Sequence, residues 1–444
     1  MNTYVYTMDT MNYNLLYCFN KNNLNTGIIK QNINNITNIL YNIDPLTEKA
    51  KYLSLSCIYG AFFGDAIGAN CEFLFPSTKN HLNIYQNYKG SRFLPGEITD
   101  DSELAMSAAF AYMDANDQND SRIQDLMYYY FGIWKESGPK DMGSTTLNSL
   151  KYFNSSYSID QIKFDKIKPS IQKNNWNSLS NGVLMRLSTF IVFYFYTNFD
   201  KVNSIIQNFF NITINTNEID NELLNLIFDI FYKVKKNSEI THPNPEIAIS
   251  ASFFSLMVLA GMVRNNAKEI YSLFKMIALS KKFTENNENK DFNAYAQAIQ
   301  KKFVRIIYEI EKNEKNAVYN LMGYYMHAFK LSVYYLYKIS NGQISHNNLY
   351  YNIMSEICNL GGDTDTNCAI VGTMIGPLIG YKNFHPQSFD RFIKFFPENR
   401  TQYTSAFMYI YVKYLEDKYL NKKQSSNAQH PSYDKLMQFL KNSI

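Results

Sequence analysis

The stretch Gly361-Gly362-Asp363-Thr364-Asp365-Thr366 sets two carboxylates two residues apart, each followed by a hydroxyl, directly after a glycine pair. Carboxylates this close together beside apolar sequence are costly unless a cation or protons compensate them. Every available ligand is an oxygen, which suits a hard divalent metal ion. Three other readings compete. An EF-hand wants Asp at loop positions one, three and five, Gly at six and Glu at twelve. Counting from Asp363 gives Asn367, Cys368 and Met374 at the last three of these, so that pattern fails. A phosphatase-type Asp-x-Asp-x-Thr should follow a β-branched strand, whereas helical spacing precedes this one. A plain capping turn needs one of the two aspartates, not both.

A second cluster lies far upstream. Leu104 to Met113 is strongly helix-forming, so Thr99, Asp100 and Asp101 fall at a helix N-terminus, where acidic residues complement the dipole. Capping again uses only one of them. Two hydroxyl–carboxylate clusters more than 250 positions apart predict a composite site. Four carboxylates and two hydroxyls from these clusters could hold two Mg²⁺ about 3.5–4 Å apart.

Helices must position these groups. Leu349, Ile353, Ile357 and Leu360 have helical spacing, and Gly361-Gly362 reads as the stop of that helix. Cys368 to Tyr381 is nearly all apolar or small and reads as a buried helix. Upstream, Gly60, Gly64 and Gly68 recur every four residues and share one helical face, which lets another helix approach closely. Asp65 within that face reads as a buried structural carboxylate. Glu72 falls where the chain leaves the helix and can point into a cleft. Nothing reads as alternating strands, so the expected fold is all-α.

Composition narrows the class. The 444 residues permit one large domain or two to three ordinary ones, and 46% hydrophobic content permits a substantial core. A net charge of +4 without a dense Lys/Arg cluster argues against a nucleic-acid face. Five cysteines without Cys-x-x-Cys spacing argue against a disulfide framework or zinc site and for a reducing compartment. The N-terminus lacks the charge-then-apolar pattern of a signal peptide. Ile247 to Val263 is the longest apolar run and reads as a buried helix, so no membrane span is expected.

Gly64-Asp65-Ala66-Ile67-Gly68 leading to Glu72, then Thr99-Asp100-Asp101, then Gly361 to Thr366 together resemble the ADP-ribosylglycohydrolase family, which includes the dinitrogenase reductase-activating glycohydrolases. The family's three motifs occur here in order. Asp141-Met142-Gly143-Ser144-Thr145, Asn181-Gly182-Val183-Leu184-Met185-Arg186 and Thr241-His242 add matches, and the resemblance spans about residues 50 to 415. It implies a compact orthogonal multi-helix bundle and Mg²⁺-dependent hydrolysis of a glycosidic bond at the anomeric carbon of ADP-ribose. The leaving group would be a modified protein side chain or a small conjugate. The implied metal ligands are Thr99, Asp100, Asp101, Asp363, Asp365 and Thr366. Glu72, Asp101 and Asp363 are the implied catalytic residues, with Asp101 or Asp363 accepting the proton of water and Glu72 serving as an additional, exchangeable ligand or a substrate contact. Gly143, Ser144, Asn181, Arg186 and His242 would hold the diphosphate and distal ribose.

The expected organisation is an Asn-rich extension over residues 1–45, a catalytic domain over 46–420 and a tail over 421–444. Longer segments near 195–238 and 264–320 read as surface insertions. A monomeric, intracellular, cytoplasmic protein is expected. Two rivals remain: a non-catalytic ADP-ribose-binding member of the same fold, and a Mg²⁺-dependent phosphohydrolase. The second needs a basic residue beside the leaving phosphate, for which Arg186 is the candidate.

Overall fold

The computed structural model describes residues 26–77, 92–115, 119–212, 218–284, 290–314, 318–344, 347–397 and 400–421. Its α-helices are α1 Thr26–Asn42, α2 Lys49–Gly68, α3 Asp100–Asp114, α4 Asp120–Glu136, α5 Ser144–Leu150, α6 Phe164–Asn175, α7 Leu187–Thr197, α8 Phe199–Asn211 and α9 Asn221–Ser238. They continue with α10 Pro245–Arg264, α11 Ala267–Leu279, α12 Lys290–Glu311, α13 Tyr325–Ser340, α14 Leu349–Leu360, α15 Thr364–Ile379, α16 Pro386–Ile393 and α17 Met408–Tyr419. No strand occurs among the described residues beyond one isolated antiparallel bridge, Ser180 to Tyr324. The all-α fold expected from the sequence is the one that forms.

The fold is built on the contact between α2 and α15. The glycine face of α2 meets main chain on α15, not side chains. A β-carbon on Gly60 would lie 2.3 Å from the Gly372 carbonyl oxygen, and one on Gly64 would lie 2.4 Å from that of Cys368. On Gly68 it would lie 2.3 Å from the Thr364 oxygen. Glycines on α15 reciprocate, with Gly372 against the Gly60 oxygen and Gly376 against the Ser56 oxygen. The pairing therefore brings the end of α2 directly against the first turn of α15, where Asp365 sits.

Helices α2, α7, α10 and α15 are apolar or small on nearly every side and lie buried at the centre, as such sequences must. Helix α10 is long and apolar enough by length and composition to cross a membrane, but it is packed inside the fold.

One expectation about the periphery needs correction. Helix α1 falls within residues 1–45 yet packs on the main fold through Ile33, Ile36 and Leu40, with Ile43 buried just beyond its end. Their three-four-three spacing is a helical stripe that the intervening asparagines obscure. Tyr381 and Lys382 fasten this segment by hydrogen bonds to the carbonyls of Leu40 and Ile43 at 2.6 Å each. The segments near 195–238 and 264–320 form amphipathic helices seated on the core. Helices α8, α9, α11 and α12 each bury one apolar stripe, including Ile206, Ile230, Phe274 and Phe303. Residues 1–25, the tail from 422 and most of the 74–95 loop lie outside the described residues.

Candidate active site

Asp65 sets the geometry of the upstream cluster. Its carboxylate is fully buried on α2 and accepts from the backbone N–H of Thr99 at 3.0 Å and of Ser102 at 3.2 Å. The Ser102 hydroxyl donates to it at 2.5 Å. These amides belong to the start of α3 and have no partner within that helix. Asp65 thus caps α3 from outside, the structural role expected of it. Burial pushes its pKa up to about 6, against the pull of these donors. Thr99 is the N-cap residue of α3, and its hydroxyl donates to Asp101 Oδ2 at 3.1 Å.

The downstream cluster is held by Gly361 and Gly362, which adopt φ of +70° and +78° between α14 and α15. A β-carbon on Gly361 would lie 2.4 Å from the Leu74 carbonyl oxygen, so a side chain is excluded there. The Gly362 N–H donates to Leu74 O at 3.2 Å and its carbonyl accepts from Phe73 N at 2.8 Å. This pairing ties the acidic turn to the segment that carries Glu72. Asp363 is the N-cap residue of α15, and Asp365 and Thr366 lie in its first turn.

The two clusters meet. Thr366 Oγ1 donates to Asp101 Oδ2 at 3.3 Å across 265 positions of sequence. Asp101 Oδ1 is buried and has no hydrogen-bond partner among the described residues. Carboxylate oxygens of Glu72, Asp363 and Asp365 lie within 4.8 Å of one another. An orphaned buried carboxylate oxygen and converging oxygen donors fit a hard divalent ion, and no nitrogen or sulfur ligand belongs to the group.

Above this floor opens a cleft of about 350 Å³, lined by Glu72, Phe73, Asp100, Asp141, Gly143, Ser144, Asn181, His242, Met322, Asp363, Asp365 and Thr366 among others. That volume is within the range of small-molecule sites. Asp100 Oδ2 accepts from the Gly143 N–H at 3.4 Å. Asn181 Nδ2 donates to Asp363 Oδ2 at 2.7 Å. Asn181 is itself fixed by its N–H to the Gly323 carbonyl at 2.9 Å, beside the bridge at Ser180 and Tyr324. A β-carbon on Gly323 would lie 3.4 Å from Asp363 Oδ2.

The carboxylates raise one another's pKa. Burial, then Asp141 and Asp363, push Glu72 up to about 7, partly opposed by Arg92. Asp100, Asp101 and Asp365 also lie well above the ordinary range, first through burial and then through neighbouring carboxylates. The metal-free folded chain therefore holds protons that the unfolded chain has lost between about pH 4 and 7. Its stability falls as pH rises through that window. Metal-free protein is expected to melt higher at about pH 5 than at about pH 7.5, and saturating Mg²⁺ to raise the melting temperature more at the higher pH. Scanning calorimetry with chelator and with Mg²⁺ checks both signs.

His242 lines the cleft with both ring nitrogens engaged, Nδ1 with Thr241 Oγ1 at 2.8 Å and Nε2 with Ser180 Oγ at 2.6 Å. Burial, with Arg186 nearby, lowers its pKa to about 3, so the ring is neutral at ordinary pH. A β-carbon on Gly182 would lie 2.9 Å from its Cε1, so the ring rests on that glycine.

Arg186 corrects the sequence reading. It is fully buried and does not line the cleft. Its guanidinium donates to Gly182 O at 2.6 Å and Asn237 O at 3.2 Å and lies over the Phe131 ring. It braces the Asn181-Gly182 turn from behind and is not available to hold a substrate. The phosphohydrolase reading loses its basic residue with it.

Asp141 and Arg92 have no assigned role in the sequence reading. Arg92 Nη2 bridges Asp141 Oδ2 at 2.7 Å and Glu72 Oε2 at 3.2 Å. Asp141 was within reach of sequence reasoning, because it opens the matched Gly143-Ser144 segment. Arg92 carries no pattern that marks it.

An all-helical chain with a polycarboxylate cleft between two helix N-termini defines the class, and sequence comparison identifies it. The ADP-ribosylglycohydrolase profile matches residues 48–392, and the chain belongs to that family. It is 25% identical over 332 residues to a "Putative ADP-ribosyl glycohydrolase" of Acanthamoeba polyphaga mimivirus, covering 73% of this chain and 86% of that protein. It is 33% identical over 109 residues to ADP-ribosylarginine hydrolase Tri1 of Serratia proteamaculans (strain 568), covering 24% of this chain and 28% of the relative. A solved ADP-ribosylglycohydrolase-related protein complex aligns with a TM-score of 0.48 at 14% identity, over 80% of this chain and 99% of that one.

Proposed function

We propose that this chain hydrolyses the glycosidic bond at the anomeric carbon of ADP-ribose, releasing it from a modified protein side chain or small conjugate. The observation that supports this most is the contact of Thr366 with Asp101, whose other oxygen is buried without a partner among the described residues. Thr99, Asp100, Asp101, Asp363, Asp365 and Thr366 would hold two Mg²⁺. Bound there, the ions would supply Lewis-acid stabilisation of the ribose hydroxyls and lower the pKa of a water.

The chain's own groups divide the remaining work. Departure of the leaving group builds positive charge on the ribose, and a cleft lined with carboxylates stabilises it. Asp363 lines the cleft, whereas Asp101, hydrogen-bonded to Thr366, does not, which favours Asp363 as the group that takes the proton from water. Asn181 fixes one Asp363 oxygen and so orients the other. Glu72, at the outer edge, either joins the metal ligands or meets the substrate. Gly143 and Ser144 line the same cleft and would offer polar contacts to the diphosphate and distal ribose, while neutral His242, both ring nitrogens engaged, holds Ser180 beside them. The arginine conjugate named for the Serratia relative is the first substrate to try.

The test is release of free ADP-ribose from ADP-ribosyl-arginine, ADP-ribosyl-serine, O-acetyl-ADP-ribose and poly(ADP-ribose), with Mg²⁺ and with chelator. Turnover on at least one that chelator abolishes is expected. ADP-ribose binding by calorimetry with no turnover on any of them would favour a non-catalytic binding member instead.

A further inference from the structure

The cleft's outer edge holds a cation of the chain's own. Oxygens of Glu72, Asp363 and Asp365 lie within 4.8 Å of one another, so Glu72 is within reach of an ion held by the other two. Yet Glu72 Oε2 is paired with Arg92 Nη2 at 3.2 Å. The same nitrogen lies 2.7 Å from Asp141 Oδ2. The Glu72 side chain is only 9% exposed and that of Arg92 is 50% exposed, so the guanidinium reaches inward from solvent. Asp141 Oδ1 is anchored by the Met142 N–H at 2.8 Å, which makes it the fixed end of the bridge.

We propose that Arg92 is a positioning residue that competes with a divalent metal ion for Glu72. This rests on the metal-binding reading above. A dication that recruits Glu72 must take it from Arg92. The pair therefore opposes loading, and loading leaves Arg92 with Asp141 alone. Linkage makes the effect reciprocal: whatever holds Arg92 away from Glu72 tightens metal binding, and metal binding releases Arg92. The half-exposed guanidinium at the cleft edge is thus a resident counter-ion for an acidic site. It keeps Glu72 paired until a metal ion takes it.

A double-mutant cycle read by Mn²⁺ binding tests this, with calorimetry or the Mn²⁺ paramagnetic resonance signal as the readout. Arg92→Gln is expected to lower the Mn²⁺ dissociation constant about tenfold, and Arg92→Lys, which keeps the charge, to lower it less. In a Glu72→Gln background, Arg92→Gln is expected to change the constant less than about twofold. Three outcomes overturn the inference: unchanged or weaker binding by Arg92→Gln, an equal gain in both backgrounds, or an effect of Arg92→Lys as large as that of Arg92→Gln. If the wild type binds Mn²⁺ and the cycle fails, only the competition falls. If neither wild type nor Arg92→Gln binds Mn²⁺, the metal site itself falls with it.

Discussion

Asp365→Asn is expected to lower turnover by at least about 10²–10³-fold while leaving the protein folded. Asp365 is buried in the first turn of α15, and its oxygens lie within 4.8 Å of those of Asp363 and Glu72. Its burial, with Asp101, Glu72 and Asp363 close by, already disfavours its charge. Removing that charge relieves repulsion in the metal-free protein, so the variant should melt at the same temperature as wild type or higher. The rise in melting temperature with Mg²⁺ should shrink sharply, because the variant gains less binding free energy from the ion. Lost activity with an unchanged metal-free melt and a lost Mg²⁺ shift is the combined result expected. A variant that keeps its Mg²⁺ shift would place the ion elsewhere.

Gly68→Ala is the second large effect, and it acts through packing. The added β-carbon would lie 2.3 Å from Thr364 O, 2.5 Å from Asp365 Cα and 2.6 Å from Asp365 N. All three are main-chain atoms, which cannot rotate away as a side chain can. Overpacking of this kind costs about 3 kcal/mol. The shift falls on the residue that carries a site carboxylate, so activity should drop with stability. Gly261→Ala is the control: its β-carbon would meet only Ile270 Cδ1 at 3.5 Å and Leu378 Cδ2 at 3.8 Å. That change should be neutral, or stabilise by about 0.5–1 kcal/mol, because alanine is the better helix former. Chemical denaturation and turnover of both variants decide the point.

Much of this architecture is legible in the sequence because it rests on local pattern. Glycines every four residues announce a close helix pair, a glycine pair before Asp363 announces a helix stop, and two acidic clusters announce a composite site. What stayed hidden depends on direction or on distant partners. Arg186 sits one turn beyond Gly182, and spacing alone does not tell whether its side chain faces the cleft or, as here, Asn237 and Phe131. The pairing of Phe73 with Gly362, which seats Glu72, joins segments almost 300 positions apart and leaves no periodic trace. Arg92 is visible only through its two carboxylate partners. Helix α1 is obscured by its run of asparagines, although Ile33, Ile36 and Leu40, continued by Ile43, carry the stripe.

The most direct measurement is ADP-ribose release from ADP-ribosyl-arginine and the three other conjugates, by wild type and Asp363→Asn, each with Mg²⁺ and with chelator. Wild type should turn over at least one conjugate only with Mg²⁺, and the variant none at a comparable rate. Turnover that survives chelation, or an Asp363→Asn variant as active as wild type, would contradict the account.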